Sequence, residues 1–366
     1  MKNTFGTSVC VTLFGESHGA RIGAVADGLA PGLAVDEAFV AAQLDKRRPL
    51  EGLGTARREA DAFTFVSGVK DGKTTGTPLC VLLANTDVRS ADYAATASLA
   101  RPGHADYTAR CKYHGFEDGR GGGHFSGRLT APLVAVGAIA IAALRERGIV
   151  IGTHLKRCGG VSDRDFADLD ADLAALNTAA FAVLDEQKGE EMKAAIRAAA
   201  ADGDSVGGIL ETAVTGLPAG VGEPWFDTVE GVLAHALFGI PAVKGVSFGD
   251  GFGCADARGS TFNDAFRAEN GGVVTATNHN GGVNGGITNG MPLVVQLAVK
   301  PTPSIYKEQN TVDLESGENA TLVLKGRHDP CILPRARVVA DSVTALALCD
   351  LLAQRYGTDW LKTGGA

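Results

Sequence analysis

"TTGTPLCVLLA", residues 74–84, returns near the end of the chain as "TNGMPLVVQLA", residues 288–298, and both segments read T-x-G-x-P-L-x-V-x-L-A. A second pair, "DGLAPGL" at 27–33 and "TGLPAGV" at 215–221, occurs in the same order, each between a strand-like run and a helix-like run. Two echoes in one order indicate a duplicated half. We therefore expect a single domain over residues 1–366, with pseudo-repeat halves at about 1–150 and 205–355.

The segments around these echoes predict strands and helices in successive blocks. Apolar runs of strand length occur at about 8–14, 63–68, 79–84, 149–155, 207–215, 243–248, 293–299 and 320–325. Helical patterns occur at about 36–47, 129–147, 164–176, 185–202, 227–238 and 338–355. Strands, then helices, then strands favour a layered α+β fold over strict βαβ alternation. The polar stretch at 306–318 predicts a surface loop.

Length and composition are typical of a globular protein with room for one large domain or two: 366 residues, 45% hydrophobic and 21% charged. The net charge of −8, without a run rich in Lys or Arg, argues against nucleic acid or an anionic membrane as the main partner. No secretory segment is recognisable, and the apolar run 129–144 is short for a membrane span. Seven cysteines without paired spacing indicate reduced thiols and a cytoplasmic protein. Neither C-x-x-C nor H-E-x-x-H occurs, so we expect no metal site.

The stretch "GRGGGHFSGR", residues 119–128, is the first that suggests chemistry. It fits neither the Walker A loop nor the dinucleotide fingerprint, because it lacks the Lys of the first and the preceding strand of the second. The Ala- and Leu-rich run after it predicts a buried helix. Two interpretations follow: an anion site of backbone N–H groups at a helix N-terminus, or a flexible glycine loop beside a core helix.

"FGESHGA", residues 14–20, sets Ser17 and His18 between glycines directly after an apolar strand. Serine next to histidine in sequence is not a hydrolase triad, whose members meet in space. No helix signal follows, as a nucleophile elbow would require. His18 is therefore either a structural histidine or a titratable group on a tight turn.

Three further segments concentrate charged and titratable residues. "RPGHADY" at 101–107 brings Arg101, His104 and Asp106 within six residues, and Asp106 is a candidate to orient an imidazole. "KGRHDPCILPRAR" at 325–337 adds the following residues: Arg327, His328, Asp329, Arg335 and Arg337. "LDKRRP" at 44–49 adds Lys46, Arg47 and Arg48 at the end of a helix, where such charges also complement the helix dipole.

Together these segments suit a substrate with a phosphate and carboxylates. Charge-assisted hydrogen bonds contribute roughly 1.5–3 kcal/mol each, so several arginines can hold such a ligand without a metal. Histidines that titrate near neutrality could move protons. Since His18 and His104 lie outside the apolar periodic runs, we expect their replacement to change stability little.

The motifs resemble those of the chorismate synthase family, from about residue 5 to residue 355. The segments that carry the resemblance are "FGESHG", "RPGHADYT", "GRGGGxxSxR", "SVGG…TGLPAGVGEP", "AVKGVSFGDGF", "NGG…GGITNG", "LAVKPTPSI" and "GRHDPCILPRA". The resemblance implies an α+β fold: a layered sandwich of antiparallel sheets around central helices, with an internal pseudo-two-fold repeat. It also implies a cytoplasmic homotetramer.

The implied activity is that of a lyase in the shikimate pathway of aromatic amino-acid biosynthesis. The reaction is the 1,4-anti elimination of phosphate from 5-enolpyruvylshikimate 3-phosphate, which gives chorismate. The resemblance implies reduced FMN (FMNH2) as cofactor without net redox change, and NADP as an associated nucleotide. No appended reductase domain is recognisable, so we expect an external flavin reductant.

The resemblance also implies roles for individual residues. His18 would lie near the departing phosphate, His104 beside flavin N1 and Asp329 near N5, while Ser17 and Ser126 would help to place the flavin and relay protons. The implied flavin contacts are His124, Phe125, Ser126, Gly285, Lys300, Pro301, Thr302, Pro303, Ser304 and Arg327. The implied substrate contacts are Arg47, Arg48, Arg101, Arg128 and Arg335. The loop 119–128 is then expected to hold flavin and substrate.

Two departures from the family pattern affect charge. The commoner "GGGRSSARE" is here "GGGHFSGRL", so that His124 and Phe125 replace an Arg and a Ser, and a fixed positive charge is lost. A second arginine usually follows "RRP"; here Gly52 falls near its place, and Arg57 or Arg58 is the candidate substitute. From the residues alone, three alternatives stay open: a phosphate-ester enzyme of another class, a flavin-dependent oxidoreductase and a flavin-binding protein without turnover.

Overall fold

The secondary structure is that of a computed structural model, which describes residues 2–54, 61–86, 98–324, 326 and 328–362. The strands are β1 Thr4–Phe5, β2 Cys10–Gly15, β3 Arg21–Asp27, β4 Phe63–Ser67, β5 Val69–Lys70, β6 Lys73–Thr74, β7 Leu79–Ala84, β8 Val150–Cys158, β9 Val161–Ser162, β10 Gly208–Thr215, β11 Val243–Phe248, β12 Phe266–Glu269, β13 Gly272–Thr275, β14 Val283–Asn284, β15 Ile287–Thr288, β16 Leu293–Val299, β17 Gln309–Val312 and β18 Asn319–Leu322. The helices are α1 Glu37–Asp45, α2 Asp106–Tyr113, α3 Thr130–Glu146, α4 Leu169–Thr178, α5 Glu186–Ala201, α6 Val229–Phe238, α7 Gly259–Phe262 and α8 Leu333–Tyr356. Short 3₁₀ segments lie at Arg120–Phe125, Gly127–Leu129, Gly251–Asp256 and Thr358–Leu361.

Two five-stranded antiparallel sheets enclose the helices α3 and α8. The first sheet has the order β1-β2-β3-β7-β4 and the second the order β11-β16-β10-β8-β9. Helix α3 packs on β3 and β7, helix α8 packs on β8 and β10, and the two helices pack on each other. The expected α+β sandwich of antiparallel sheets around central helices is confirmed.

The echoed segments form matching strands, β7 in the first sheet and β16 in the second. Both direct the same three positions into the core: Leu79, Val81 and Leu83 in β7, and Leu293, Val295 and Leu297 in β16. Alternation of period two is what a strand with one buried face requires. The repeated sequence therefore builds the same element twice.

A buried threonine before each of these strands ties the two echoes of one half together, and we call these two arrangements the threonine clasps. Thr74 Oγ1 donates to the Ala30 carbonyl at 2.6 Å and accepts from the backbone N–H of Leu33 at 2.9 Å. Thr288 Oγ1 donates to the Pro218 carbonyl at 2.7 Å and accepts from the backbone N–H of Val221 at 2.9 Å. Each half thus uses one hydroxyl for the same two bonds.

The helices α3 and α8 meet at a glycine. A Cβ at Gly137 would lie 2.3 Å from Cβ of Ser342, so only glycine permits this approach. The segment Gly127–Glu146 is long and apolar enough to cross a membrane, with a mean hydropathy of 1.8, but 83% of that stretch is buried inside the protein. It is therefore the core helix that the sequence predicted.

The start of the chain is fixed by the helix near its end. Asp350 of α8 accepts the backbone N–H groups of Thr7, Ser8 and Val9 on Oδ1, at 3.1, 2.6 and 2.9 Å. The carboxylate is 1% exposed. This contact joins residues more than 340 positions apart.

Several elements differ from the sequence prediction, among them β3, the middle strand of the first sheet, which was not among the predicted strands. Helix α2 was not expected, because the turn residues of 101–107 concealed a short polar helix that begins at Asp106. Helix α8 begins at Leu333 rather than near 338, since Pro334 occupies its first turn, where no N–H bond is lost. The expected surface loop 306–318 contains β17, which pairs with β18.

Candidate active site

A cavity of about 870 Å³ lies where the two halves meet. Its walls carry eight Lys or Arg side chains: Lys2, Arg47, Arg48, Arg101, Arg128, Lys244, Lys300 and Arg335. Two carboxylates, Asp61 and Asp329, also line it. Although the chain has a net charge of −8, this cavity is therefore strongly basic and suited to an anionic ligand.

Most residues proposed from the sequence line this cavity. They are Arg47, Arg48, Arg101, His104, His124, Phe125, Ser126, Arg128, Lys300, Thr302, Pro303, Ser304, Asp329 and Arg335. Ser17, His18, Pro301 and Gly285 do not line it; Gly285 is exposed in the β14–β15 turn. Arg57, Arg58 and Arg327 lie outside the described residues.

The glycine loop 119–123 runs between the two histidines that the sequence singled out. A Cβ at Gly121 would lie 1.9 Å from Cε1 of His18, and a Cβ at Gly122 would lie 3.2 Å from Cε1 of His104. Gly121, Gly122 and Gly123 all have positive φ, of 59°, 95° and 52°. Gly121 is needed because a Cβ would overlap the ring of His18, and Gly123 because a Cβ would overlap the Asp118 carbonyl.

Ser17 and His18 form the turn between β2 and β3 and lie behind this loop. Ser17 Oγ donates to the Arg120 carbonyl at 3.2 Å and lies 3.2 Å from Nδ1 of His18. Ser17 is fully buried and His18 is 9% exposed. The ring of His18 fills space under the glycine loop, so its burial argues against the expectation that its replacement changes stability little, which stays a prediction.

His104 reaches the cavity with its orientation set by Asp106. Nδ1 of His104 lies 3.0 Å from Oδ1 of Asp106. The Asp106 carboxylate also accepts two guanidinium bonds from Arg101, at 2.8 Å on Oδ2 and at 2.6 Å on Oδ1. Burial opposes the charge of Asp106, but the bonds from Arg101 and His104 outweigh it and hold the pKa of Asp106 well below its usual range. Because Asp106 is ionised, Nδ1 carries the proton and donates. Asp106 thus orients the imidazole, as the sequence suggested.

Asp61 is a central residue of the site that sequence reasoning missed. Its carboxylate pairs with both Arg47 and Arg128, and all three side chains are at least nine-tenths buried. Arg47 also donates to Thr130 Oγ1 at 3.1 Å. Pairing is what makes buried charges tolerable. Arg47 and Arg128, both proposed as substrate contacts, are therefore held in place by a carboxylate that belongs to no recognised motif. Asp61 has a φ of 47°, which is unusual for a residue other than glycine.

A second ion pair links the other side of the cavity to the first. Asp329 pairs with Arg335, and Nε of Arg335 donates to the Arg47 carbonyl at 2.6 Å. We call the connected group the charged wall; its members are Arg47, Asp61, Arg128, Asp329 and Arg335. One network thus combines residues that are almost 300 positions apart in sequence.

The residues proposed as flavin contacts form two strips beside His104. His124 Nδ1 bonds to the Gly15 carbonyl at 2.8 Å, and the Phe125 ring meets Tyr113 edge-on with 6.1 Å between centroids. Lys300 donates to the carbonyl of Gly103, which brings 300–304 against the His104 turn. Oγ1 of Thr302 is buried without a hydrogen-bond partner among the described residues, which is typical of a group that awaits a ligand.

Much of the remaining lining is hydrophobic. We call this part the apolar wall; it comprises Phe5, Phe238, Ile240, Val343 and Leu346. Ligand sites combine apolar walls with a few placed polar groups, and usually measure about 300–1,000 Å³. A cavity of about 870 Å³ is at the upper end of that range and has room for two ligands together. Across the part of the chain that the structure covers, no three His, Cys, Asp or Glu side chains come together as metal ligands.

Comparison with known proteins gives one consistent result. The family model described as chorismate synthase matches residues 9–353. Curated relatives with that name include one from Pyrococcus abyssi, 46% identical over 96% of this chain and 97% of the relative, and one from Dehalococcoides mccartyi, 43% identical over 96% of each. A solved structure, "Crystal Structure of Chorismate Synthase", superposes with a TM-score of 0.76 at 28% identity and covers 96% of this chain and 94% of that one.

Proposed function

The chain belongs to the chorismate synthase family and is a lyase of the shikimate pathway, and from that premise we propose how its residues act. The proposed reaction is the 1,4-anti elimination of phosphate from 5-enolpyruvylshikimate 3-phosphate, which gives chorismate. The observation that carries this proposal is the basic cavity bordered by an apolar wall. It suits a substrate with a small carbocyclic ring and three anionic groups.

We propose that the cationic side chains bind the phosphate and the two carboxylates. Arg48, Arg101 and Arg335 offer guanidinium groups, which form paired hydrogen bonds with such oxyanions. Arg47 and Arg128 already share Asp61, so they contribute to the positive potential and to a fixed geometry. Asp61 is in this proposal a positioning residue for both.

Proton transfer is assigned to His104 and His18. His104 faces the cavity and keeps one ring nitrogen on Asp106, which leaves Nε2 to respond to charge in the cavity. His18 is proposed to protonate the departing phosphate. Because Gly121 separates His18 from the cavity, this role requires the glycine loop to shift on binding. Ser17 and Ser126 would relay protons, and Asp329 would accept the proton lost from the substrate.

Reduced FMN is the proposed cofactor, and the residues present fit it. The cavity has room for two ligands, Thr302 Oγ1 is buried without a partner among the described residues, and cationic groups favour an anionic flavin. His124, Phe125, Ser126, Lys300 and Ser304 would hold it; Pro301, Pro303, Gly285 and Arg327 complete the proposed contacts. When bound, a reduced flavin supplies electron density that eases loss of a weakly acidic hydrogen. The protein's part is to orient, to exclude water and to place charges.

Several wider assignments are proposals that rest on family membership. We propose a cytoplasmic homotetramer supplied with reduced flavin by an external reductant, with NADP as an associated nucleotide. Arg57 or Arg58 is proposed to replace the arginine usual in this family after "RRP". We further propose a single domain whose halves, about 1–150 and 205–355, arose by duplication. The matching threonine clasps support that duplication.

Phosphate release tests the reaction and the cofactor together. Purified protein is mixed anaerobically with 5-enolpyruvylshikimate 3-phosphate and with either chemically reduced or oxidised FMN. We expect stoichiometric phosphate and chorismate with reduced FMN only, and no net change in the flavin spectrum after turnover. Equal release with oxidised FMN, or release accompanied by net flavin oxidation, would contradict the proposal.

A further inference from the structure

Two buried cysteines that are 173 positions apart in sequence lie side by side. Sγ of Cys158 lies 3.7 Å from Sγ of Cys331, and the residues are 0% and 2% exposed. Cys158 ends β8, and Cys331 stands just before α8. The proposed reaction uses neither thiol.

Cys331 is connected to the site through its own short segment. Asp329, a member of the charged wall, lies two residues before it, and the carbonyl of Pro330 accepts the N–H of Val206 at 2.8 Å. The segment therefore bridges the cavity and the second sheet. A displacement of Cys331 would be transmitted to Asp329 and its partner Arg335.

The two thiols differ in their readiness to ionise. The hydrogen bond with Cys158, together with burial, raises the pKa of Cys331, whereas the same bond lowers the pKa of Cys158. The thiolate is the reactive form of cysteine. Because the two sulfurs are neighbours, oxidation of either one places it next to the thiol that can resolve it.

We propose that Cys158 and Cys331 are a redox modification site at which hydrogen peroxide forms a reversible disulfide. The thiolate of one cysteine attacks one oxygen of the peroxide; the O–O bond breaks, and hydroxide leaves and takes up a proton. The sulfenic acid formed there is then attacked by the sulfur of the other cysteine, and water leaves. In total, two thiols and one peroxide give one disulfide and two waters. Because the pair is buried, an oxidant of this small size is required.

Formation of the bond moves the active-site segment. A disulfide is about 2.05 Å long, so the sulfurs must approach by roughly 1.6 Å. Cys158 is fixed by pairing on both sides of β8, with β10 and β9, whereas Cys331 lies in a connecting segment. Most of the movement falls on Cys331, and the Asp329–Arg335 pair is disturbed with it. The disulfide thus acts as an inhibitory switch.

Peptide mapping tests the bond without reference to activity. Full-length protein is treated with hydrogen peroxide, unfolded, alkylated with iodoacetamide and digested without reduction. We expect a Cys158 peptide joined to the Cys331 peptide, lighter by two hydrogens than the two free peptides, and its disappearance after dithiothreitol. Cys349, which is fully buried in α8, is the internal reference and should be alkylated throughout. Alkylation of both Cys158 and Cys331, or links from Cys331 to other cysteines, would overturn the proposal.

Turnover tests the consequence, and this arm alone rests on the proposed function. Oxidation should lower phosphate release at least about tenfold, and dithiothreitol should restore it. Cys158→Ala should keep its basal rate and resist peroxide, while Cys349→Ala should behave as wild type does. Undiminished turnover in protein that is shown to be cross-linked would overturn the inhibitory role. Absence of turnover before oxidation would count against the proposed function instead, since the cross-link is measured separately.

Discussion

Helices α1 and α6 reach the same cavity from the two halves of the chain, but with opposite chemistry. Each ends in one further turn of hydrogen-bonded backbone, and a proline follows. The two residues before that proline differ: they are Arg47 and Arg48 in the first half, and Gly239 and Ile240 in the second. The first helix end therefore contributes Arg47 to the charged wall, and the second contributes Phe238 and Ile240 to the apolar wall.

Under the duplication proposed above, the difference shows how two similar halves can form an asymmetric site. Backbone bonds and clasp threonines are alike in both halves, so the fold does not depend on what the helix ends carry. A ligand with anionic groups on a carbon ring needs unlike surfaces opposite each other. Divergence at a few cavity positions provides them without altering the core.

The largest expected effect is on turnover, and it is tested by replacing one cavity histidine from each half of the chain. His104→Ala should lower turnover by about 10²- to 10⁴-fold, the usual contribution of a positioned proton-transfer group. His235→Ala, which removes a cavity histidine whose ring packs on Phe5 at 5.5 Å, should change turnover little. Steady-state phosphate release measures both. Similar losses of turnover in the two variants would contradict the distinction drawn between His104 and His235.

A smaller effect is expected for substrate affinity. Arg48→Ala should raise KM about 10- to 100-fold, because one charge-assisted hydrogen bond is worth roughly 1.5–3 kcal/mol. The matched variant Lys244→Ala removes a cavity cation near the apolar wall and should leave KM nearly unchanged. Since the Arg48 side chain is 51% exposed, its contribution should fall as salt is added. Equal KM values in both variants would contradict the assignment.

The threonine clasps should respond alike. Thr74→Val and Thr288→Val each leave a buried carbonyl and a buried N–H without their partner, which costs about 1–3 kcal/mol in the free energy of unfolding. Because the bonds match, we expect the two losses to agree within about 0.5 kcal/mol, and turnover to be preserved. Urea unfolding gives the values. A large loss in one variant alone would show that the halves are not equivalent in energy.

The smallest expected effect concerns two residues that lie opposite each other on neighbouring strands. The residues at this pair of positions differ between the two sheets. In the first sheet Phe14 lies opposite Gly23; at the matching positions of the second, His154 lies opposite Glu211. His154 Nε2 is 2.9 Å from Glu211, and Nδ1 is 2.8 Å from Asp163. Burial opposes the charge of His154, but the bonds to these two carboxylates outweigh it and raise its pKa.

The sign of the pH dependence follows from that raised pKa. The stabilisation by His154 is fully present below its unfolded value near 6.5 and is lost as the pH rises through the raised value, by at most about 1.4 kcal/mol per pH unit for one proton. His154→Gln should flatten the stability profile above pH 6.5. His279→Gln, which removes a partly exposed histidine paired with Asp250, should not. Thermal unfolding between pH 6 and 9 measures this, and parallel profiles for wild type and His154→Gln would contradict it.

Much of the scaffold could be predicted from the sequence because its elements have local signatures. The alternation in β7 and β16 identified both strands to the residue, and the apolar run after residue 129 identified α3. Helix α2 could not be found in this way, since it is short, polar and almost without buried residues.

The site residues that belong to a sequence motif could be predicted. Those whose role depends on a contact with residues far away in the sequence could not. His104, Asp329 and the 300–304 strip belong to recognisable segments and line the cavity. Asp61 lies in no motif, and its importance comes from two arginines that the fold brings to it. The burial of His18 also depends on Gly121, which is more than a hundred residues away. Such pairings are properties of the tertiary structure.

The bonds from Asp350 to residues 7–9 have a consequence for biosynthesis. Strand β2 begins directly after these residues, yet the carboxylate that fixes them is translated more than 340 codons later. The N-terminal edge of the first sheet therefore cannot reach its final state on the ribosome before the last helix emerges. Closing a contact over nearly the whole chain makes this a late step and leaves an unprotected strand edge in the meantime. The nascent first half is therefore the stage at which exposed strand edges favour aggregation.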